Sequence, residues 1–321
     1  MTSRPLPVAL RDIEKAARRI DGVALHTPLL RLPLDGDLYV KPESLQRTGS
    51  FKFRGAYNAL ASMPFPLIER GVVADSSGNH AQGVAAAAAL LGVPATIVMP
   101  ENAAPVKVER TAGWGAEIIR CDNSTDERQR LAAEIRDARS LAYIPPFDDA
   151  RIIAGQGTVG LEIAHALPDV TTVVVCIGGG GLISGVATAV KALCPNARVI
   201  GVEPELAADA QESLRQGRIV GWPAADVTRT ICDGVRTQEI GALNFALISA
   251  LVDEIVTVSD DAVLEAMRWL ALEAKLLVEP TGALTLAAIQ TGVVTADGPT
   301  VIVASGGNVD PALAARVLTR S

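Results

Sequence analysis

Short β-branched runs alternate with longer helical patterns along this chain. Val72-Val73, Thr96-Ile97-Val98, Ile118-Ile119, Thr171 to Ile177, Val199-Ile200, Ile255 to Val258 and Thr300 to Val303 read as strands buried on both faces, because their apolar runs leave no polar side for water. Asp12 to Ile20, His80 to Leu91, Thr125 to Leu141, Ile183 to Leu193 and Asp260 to Leu276 read as helices. This rhythm predicts an α/β fold with mainly parallel sheets. Such folds gather their sites where strands run out into helices. Three loops occupy that position: Asp75-Ser76-Ser77-Gly78-Asn79-His80, Gly178-Gly179-Gly180-Gly181 and Ser305-Gly306-Gly307-Asn308. The Pro/Asp cluster Pro145-Pro146-Phe147-Asp148-Asp149 marks a domain break. No repeat of fixed period and no low-complexity tract interrupts the pattern.

Composition narrows the class. With 49% hydrophobic and 20% charged residues in 321, the chain is globular and long enough for two modest domains. Aromatics are only 3%, so the core must be Ala, Val, Leu and Ile, which suits helices packed closely on parallel strands. A net charge of −7 without a basic cluster argues against nucleic acid and against an anionic membrane surface. Cys121, Cys176, Cys194 and Cys232 have no metal-ligand or redox spacing and read as reduced thiols. Charges at Arg4, Arg11, Glu14, Lys15 and Arg18 leave no room for a secretory signal. The longest apolar stretch, around Val84 to Leu91, is too short to span a bilayer. A cytoplasmic protein is expected.

The four consecutive glycines can turn backbone N–H groups toward an anion at the positive end of the following helix. They fit neither nucleotide pattern: Ile183 or Ser184 stands where GxGxxG needs glycine, and no Lys-Ser/Thr pair follows Gly185. A phosphate cradle for something smaller than a dinucleotide remains, against the alternative of a turn needed only for packing. In Ser50-Phe51-Lys52-Phe53-Arg54-Gly55-Ala56, a lysine sits between two phenylalanines. An apolar setting lowers an amine's pKa, and a neutral amine can capture an aldehyde. A lysine snorkelling over a helix face is the alternative.

These motifs, with Ser76-Ser77-Gly78-Asn79-His80-Ala81-Gln82 and Val278-Glu279-Pro280-Thr281, occur in an order that resembles the fold-type II pyridoxal-phosphate enzymes over nearly the whole chain. More narrowly, the chain resembles their serine/threonine dehydratase and serine racemase branch. Phe53 stands where threonine synthases usually carry Asp, and the asparagine loop is not led by threonine as in cysteine synthases. The resemblance implies two three-layer α/β domains of the tryptophan synthase β type. The large domain would comprise residues 1–61 plus 149–321. A small mobile domain, residues 62–148, would close over substrate.

The resemblance also implies roles. Lys52 would hold pyridoxal 5′-phosphate covalently and move the substrate's α-proton. Phe51 would pack on the ring, Asn79 would bond its phenolic oxygen, and Gly178, Gly179, Gly180 and Gly181 would bind its phosphate, with Gly234 close by. Ser76, Ser77, Asn79 and His80 would receive the substrate carboxylate at a helix N-terminus, where Ser or Asn would also cap the helix. Ser305 would face the pyridine nitrogen. Its hydroxyl is neutral, so the ring is a weaker electron sink than beside a carboxylate, which favours prompt loss of a β-leaving group over transamination. Glu203, the Ala207 carbonyl and Asp209 match the branch's Mg2+ or Ca2+ site. Arg128 stands where an arginine can approach the substrate carboxylate, but its charged helix suggests a solvated side chain.

The activity implied is α,β-elimination from L-threonine or L-serine. Ser77 as a second base would instead allow racemisation, and 3-hydroxyaspartate or phenylserine are alternative substrates. A catalytically dead binding protein disagrees with the intact Lys52, Asn79, glycine run and Ser305. The resemblance implies a homodimer, and no separate regulatory domain is expected after the last motif.

Overall fold

The computed structural model describes residues 5–319. Each of the runs read as strands coincides with a strand, the run from Thr171 to Ile177 exceeding its strand by one residue at each end. In chain order the strands are β1 (Leu30–Arg31), β2 (Leu38–Pro42), β3 (Val72–Asp75), β4 (Ala95–Pro100), β5 (Glu117–Cys121), β6 (Ala142–Tyr143), β7 (Thr172–Cys176), β8 (Arg198–Pro204), β9 (Glu254–Val258) and β10 (Thr300–Ala304). They form two sheets, ordered β1-β2-β10-β7-β8-β9 and β5-β4-β3-β6. Only the β1–β2 pair is antiparallel among the described strands.

Register decides where the loops emerge. Ile302 of β10 pairs with both Val40 of β2 and Val174 of β7. The chain therefore leaves β7 into the glycine run and leaves β10 into Ser305 on the same edge. In the second sheet, β3 lies between β4 and β6 and delivers Ser76 at its carboxyl end.

Three helices cross at backbone contact between the sheets: Lys52–Ala61, Ala150–Ala166 and Gly181–Leu193. A Cβ on Gly155 would lie 2.6 Å from the Gly55 Cα, and one on Gly185 would lie 2.5 Å from the Gly157 nitrogen. No residue but glycine permits this approach. Gly155, Gly157 and Gly160 also explain why the pattern does not announce the helix Ala150–Ala166, since each costs helix propensity by about 1 kcal/mol. The helix Pro280–Gln290 is hidden for another reason. Every residue from Pro280 to Ala288 is buried, so it has no polar face.

Two helix ends differ from the pattern. The helix read as Asp260 to Leu276 stops at Leu272, with Lys275 in the left-handed region at φ 59°. The helix from Thr125 stops at Arg139, where Ser140 turns left-handed at φ 55°.

Beneath the Lys52 helix lies a buried charge network. Arg54 is fully enclosed and donates to both carboxylate oxygens of Glu43 at 2.8 Å and to Glu162 at 2.6 and 3.0 Å. Lys41, in the middle of β2, reaches Glu162 and the Thr27 carbonyl at 2.5 Å each. Burial alone would raise the Glu43 pKa, but Arg54 outweighs burial and holds it below the ordinary value. Two cations thus answer two anions. Removing Arg54 would leave carboxylates buried without a counter-ion. Arg54→Leu should therefore destabilise the protein by about 3–5 kcal/mol in urea unfolding, whereas a loss under about 1 kcal/mol would contradict this account.

Candidate active site

Lys52 opens its helix at the junction of the two sheets. The loop before it is fastened to the loop after β10: Ser50 bridges Gly306, the Phe51 amide donates to the Ser305 carbonyl at 3.1 Å, and the Gly307 amide donates to the Gly49 carbonyl at 2.8 Å. These backbone bonds bring Lys52 and Ser305 onto one cavity of about 900 Å³. The Lys52 ammonium lies 5.3 Å from the centre of the Phe51 ring and donates to the Pro146 carbonyl at 2.8 Å. Burial lowers its pKa to about 8, with only a weak opposing effect from Cys176. About a tenth of the amine is therefore neutral and nucleophilic at pH 7, far more than for a lysine at its ordinary value.

The asparagine loop forms a second wall. The residue at the head of its helix is Gly78, so no side chain caps the helix Asn79–Leu91. This corrects the expectation of a Ser or Asn cap. The first amides stay available to an anion, reinforced by the helix dipole. Ser76, Ser77, Asn79 and His80 all line the cavity, and Ser77 is exposed to it. The His80 ring is fixed at 2.9 Å from the Ile144 carbonyl. Burial first, and Lys52 second, depress its pKa to about 3, so it stays neutral.

The glycine run closes the third side. Gly180 adopts φ 92° and leads directly into the helix Gly181–Leu193. The amides of Gly178, Gly179 and Gly180 find no acceptor among the described residues. A side chain on Gly179 would collide with the Phe147 ring, and one on Gly178 would come 3.0 Å from the Val235 Cα. Gly179 lines the cavity, and its three sister glycines frame the same turn. Gly234 also lines the cavity, its amide held by the Thr281 hydroxyl at 3.1 Å. Ser305 is buried on the wall. Its neighbour is the Cys176 thiol, which burial pushes up to about 11 against a hydrogen bond with Ser305.

A buried amine of lowered pKa, free N–H groups at two helix starts and a small neutral hydroxyl suit an aldehyde that carries a phosphate. The family described as "Pyridoxal-phosphate dependent enzyme" matches residues 20–308. The chain belongs to this family. An L-threonine ammonia-lyase of Thermotoga maritima is 42% identical over 98% of this chain and 79% of its own length. An L-threo-3-hydroxyaspartate ammonia-lyase of Saccharomyces cerevisiae is 43% identical over 93% of each. The structure of maize serine racemase superposes with a TM-score of 0.91 at 37% identity, over 95% of both chains.

Other residues of the enzyme's cavity carry no motif of their own. Lys107 ion-pairs with Asp233 at 2.5 Å and approaches Glu279 at 3.8 Å, while Arg128 pairs with Asp75 at 3.3 Å. Lone cations in a sequence give no signal for this. Glu279 had one, in Val278-Glu279-Pro280-Thr281, but its partner Asn79 is 200 positions away. Arg128 is partly buried on its ion pair and is not the solvated side chain expected.

Glu203, Ala207 and Asp209 lie together outside the cavity wall, all buried. The Glu203 carboxylate accepts the amides of Ala210 at 3.0 Å and Gln211 at 2.7 Å. Neither Asp209 carboxylate oxygen has a hydrogen-bond partner. Among the described residues no group of three ligating side chains forms here; the set is two carboxylates and a backbone carbonyl. Burial raises both pKa values, with Asp209 adding to the rise at Glu203 and Glu239 to that at Asp209. The folded state thus holds protons that the unfolded chain releases near its ordinary values of 4.5 and 3.8. The pair's contribution is complete below those values and is lost as pH rises through the higher folded ones. In chelator, the double variant Glu203→Gln/Asp209→Asn should gain melting temperature relative to the unsubstituted protein between about pH 5 and about pH 8. A difference that stays constant over that range would contradict the raised values.

Proposed function

We propose that this enzyme removes the hydroxyl and amino groups of L-threonine or L-serine, giving a 2-oxo acid and ammonia. The observation that carries this reading is Ser305. It is buried on the wall of the Lys52 cavity beside a neutral thiol, so it offers a ring nitrogen a hydroxyl and no negative charge. Pyridoxal phosphate, when bound, supplies an aldehyde that captures amines and a ring that withdraws electrons from the substrate α-carbon.

The chain's own groups divide the remaining work. Lys52 holds the cofactor and takes the α-proton, for which its lowered pKa suits it. Gly178, Gly179, Gly180 and Gly181 hold the phosphate, Asn79 the phenolic oxygen, and Phe51 and Gly234 the ring. The uncapped amides after Gly78, with Ser76 and Ser77, orient the substrate carboxylate. The β-hydroxyl leaves with a proton as water. Addition of water to the resulting unsaturated product later releases ammonia, so hydroxyl loss and hydration balance.

Both cavity cations besides Lys52 are already ion-paired, Lys107 with Asp233 and Arg128 with Asp75. A second substrate carboxylate would have to displace one of them, which favours threonine or serine over 3-hydroxyaspartate. Racemisation is a second reading, because Ser77 is exposed to the cavity and could serve as an acid on the other face.

Residues 62–148, which contain β3 to β6, would move as the small closing unit. Glu203, the Ala207 carbonyl and Asp209 would hold Mg2+ or Ca2+. A divalent cation would neutralise the two buried carboxylates and satisfy the unpartnered Asp209 oxygens. A homodimer is supported by exposed Leu25, Leu45 and Leu277, on segments joined through Gln46, Ser44 and Gly307. A cytosolic setting is supported by four buried free cysteines; among the described residues no helix is long and apolar enough to cross a membrane.

A 2-oxo acid assay over β-hydroxy amino acids, with chiral analysis of residual substrate, tests the reading. L-Threonine or L-serine should give the highest kcat/KM, with little D-serine formed from L-serine. Faster turnover of 3-hydroxyaspartate, or D-serine as the main product, would overturn it in favour of the corresponding alternative.

A further inference from the structure

Asn308 closes the Ser305-Gly306-Gly307-Asn308 loop but lines a second cavity, of about 420 Å³, together with Arg110 and Gln82. From there it touches the back of the asparagine loop. Arg110, on the helix Pro105–Ala112, donates to the Asn308 Oδ1 at 2.6 Å. The Asn308 Nδ2 donates to the Thr48 carbonyl at 2.9 Å and to the Asn79 Oδ1 at 2.8 Å. The Asn79 Nδ2 then donates to Glu279 at 2.5 Å.

The direction of this chain follows from elementary chemistry. A guanidinium has donors only, and a peptide carbonyl only accepts. Between Arg110 and the Thr48 carbonyl, the Asn308 amide can sit one way round, oxygen to the guanidinium and nitrogen inward. Asn79 must then meet that nitrogen with its oxygen, so its own NH2 points to Glu279 and the cavity. The backbone is shaped for this. A Cβ on Gly49, at φ 72°, would come 2.7 Å from the Asn308 Oδ1, and one on Gly306 would strike Glu279 and lie 3.2 Å from the Asn79 Nδ2.

We propose that Arg110 and Asn308 are positioning residues that fix the donor direction of Asn79, and so its ability to give a hydrogen bond to the cofactor's phenolic oxygen. This rests on the reading of Asn79 as a cofactor ligand. Arg110 touches neither cofactor nor substrate in this arrangement; it acts through two amides.

The test begins on the cofactor-free protein. Side-chain amide resonances of labelled asparagine, identified with Asn79→Ala, report the direction of the Asn79 amide. Asn308→Asp keeps the size of the side chain and the contact with Arg110 but cannot donate to Asn79. Its Asn79 NH2 signals should move, as the amide turns to donate backwards. Arg110→Met should move them in the same sense, and Arg110→Lys, still donor-only, should restore them. On loading with pyridoxal phosphate, Asn308→Asp and Arg110→Met should bind it about tenfold more weakly and show an altered visible absorption band. Unmoved Asn79 signals in both variants, with melting temperatures showing them folded, would overturn the proposal. So would moved signals with unchanged cofactor affinity and absorption. If Asn79→Ala itself binds pyridoxal phosphate as tightly as the unsubstituted protein, the underlying reading of Asn79 fails instead.

Discussion

A lysine amine half-enclosed at the wall of a cavity, with no carboxylate beside it, is the constraint on which this structure turns. Burial without a counter-ion is what brings Lys52 to a pKa of about 8. Two residues further along the same helix, Arg54 is buried more deeply yet answered by Glu43 and Glu162, and its pKa rises instead. The contrast separates a structural cation from a reactive one. The paired network secures the helix, and the unpaired amine at its start keeps its chemistry.

The geometry serves that arrangement. Close helix contacts at Gly55, Gly155, Gly157 and Gly185 pack the Lys52 helix against the helix Ala150–Ala166, and that helix against Gly181–Leu193. Backbone bonds from Ser50, Phe51 and Gly49 fasten the lysine loop to the loop after β10. Around the amine stand groups that carry no net charge of their own: Ser305, the uncapped amides after Gly78, and the glycine turn. The cavity's cations other than Lys52 are already ion-paired, Lys107 with Asp233 and Arg128 with Asp75. A cofactor and substrate bringing their own phosphate and carboxylate would thus meet dipoles rather than competing ions.

Much of this was legible in the sequence, for reasons tied to particular residues. Strands such as Thr172–Cys176 were visible because burial on both faces demands an unbroken apolar run. β2 was not, because Lys41 interrupts it, and Lys41 makes sense only once Glu162, 121 positions away, is placed beside it. The helix Ala150–Ala166 was concealed by the glycines that its crossings require. In the site, Lys52, Asn79, Ser305 and the glycine run stood out because each lies in a compact motif. Lys107, Arg110 and Asn308 act through partners that are distant in sequence, and local spacing carries no trace of such pairs. The Ser or Asn cap expected at Asn79 gave way to Gly78, whose lack of a side chain leaves the helix amides free.

The claim at the centre is that Lys52 is reactive because it is buried and unpaired. It is tested most directly by titrating the Lys52 side chain in the cofactor-free protein, using lysine labelled with 13C at the ε-carbon and the signal identified by its loss in Lys52→Met. The account predicts a midpoint near the value of about 8, set apart from the other lysines. A Lys52 signal that titrates at the ordinary value of 10.5 would contradict it.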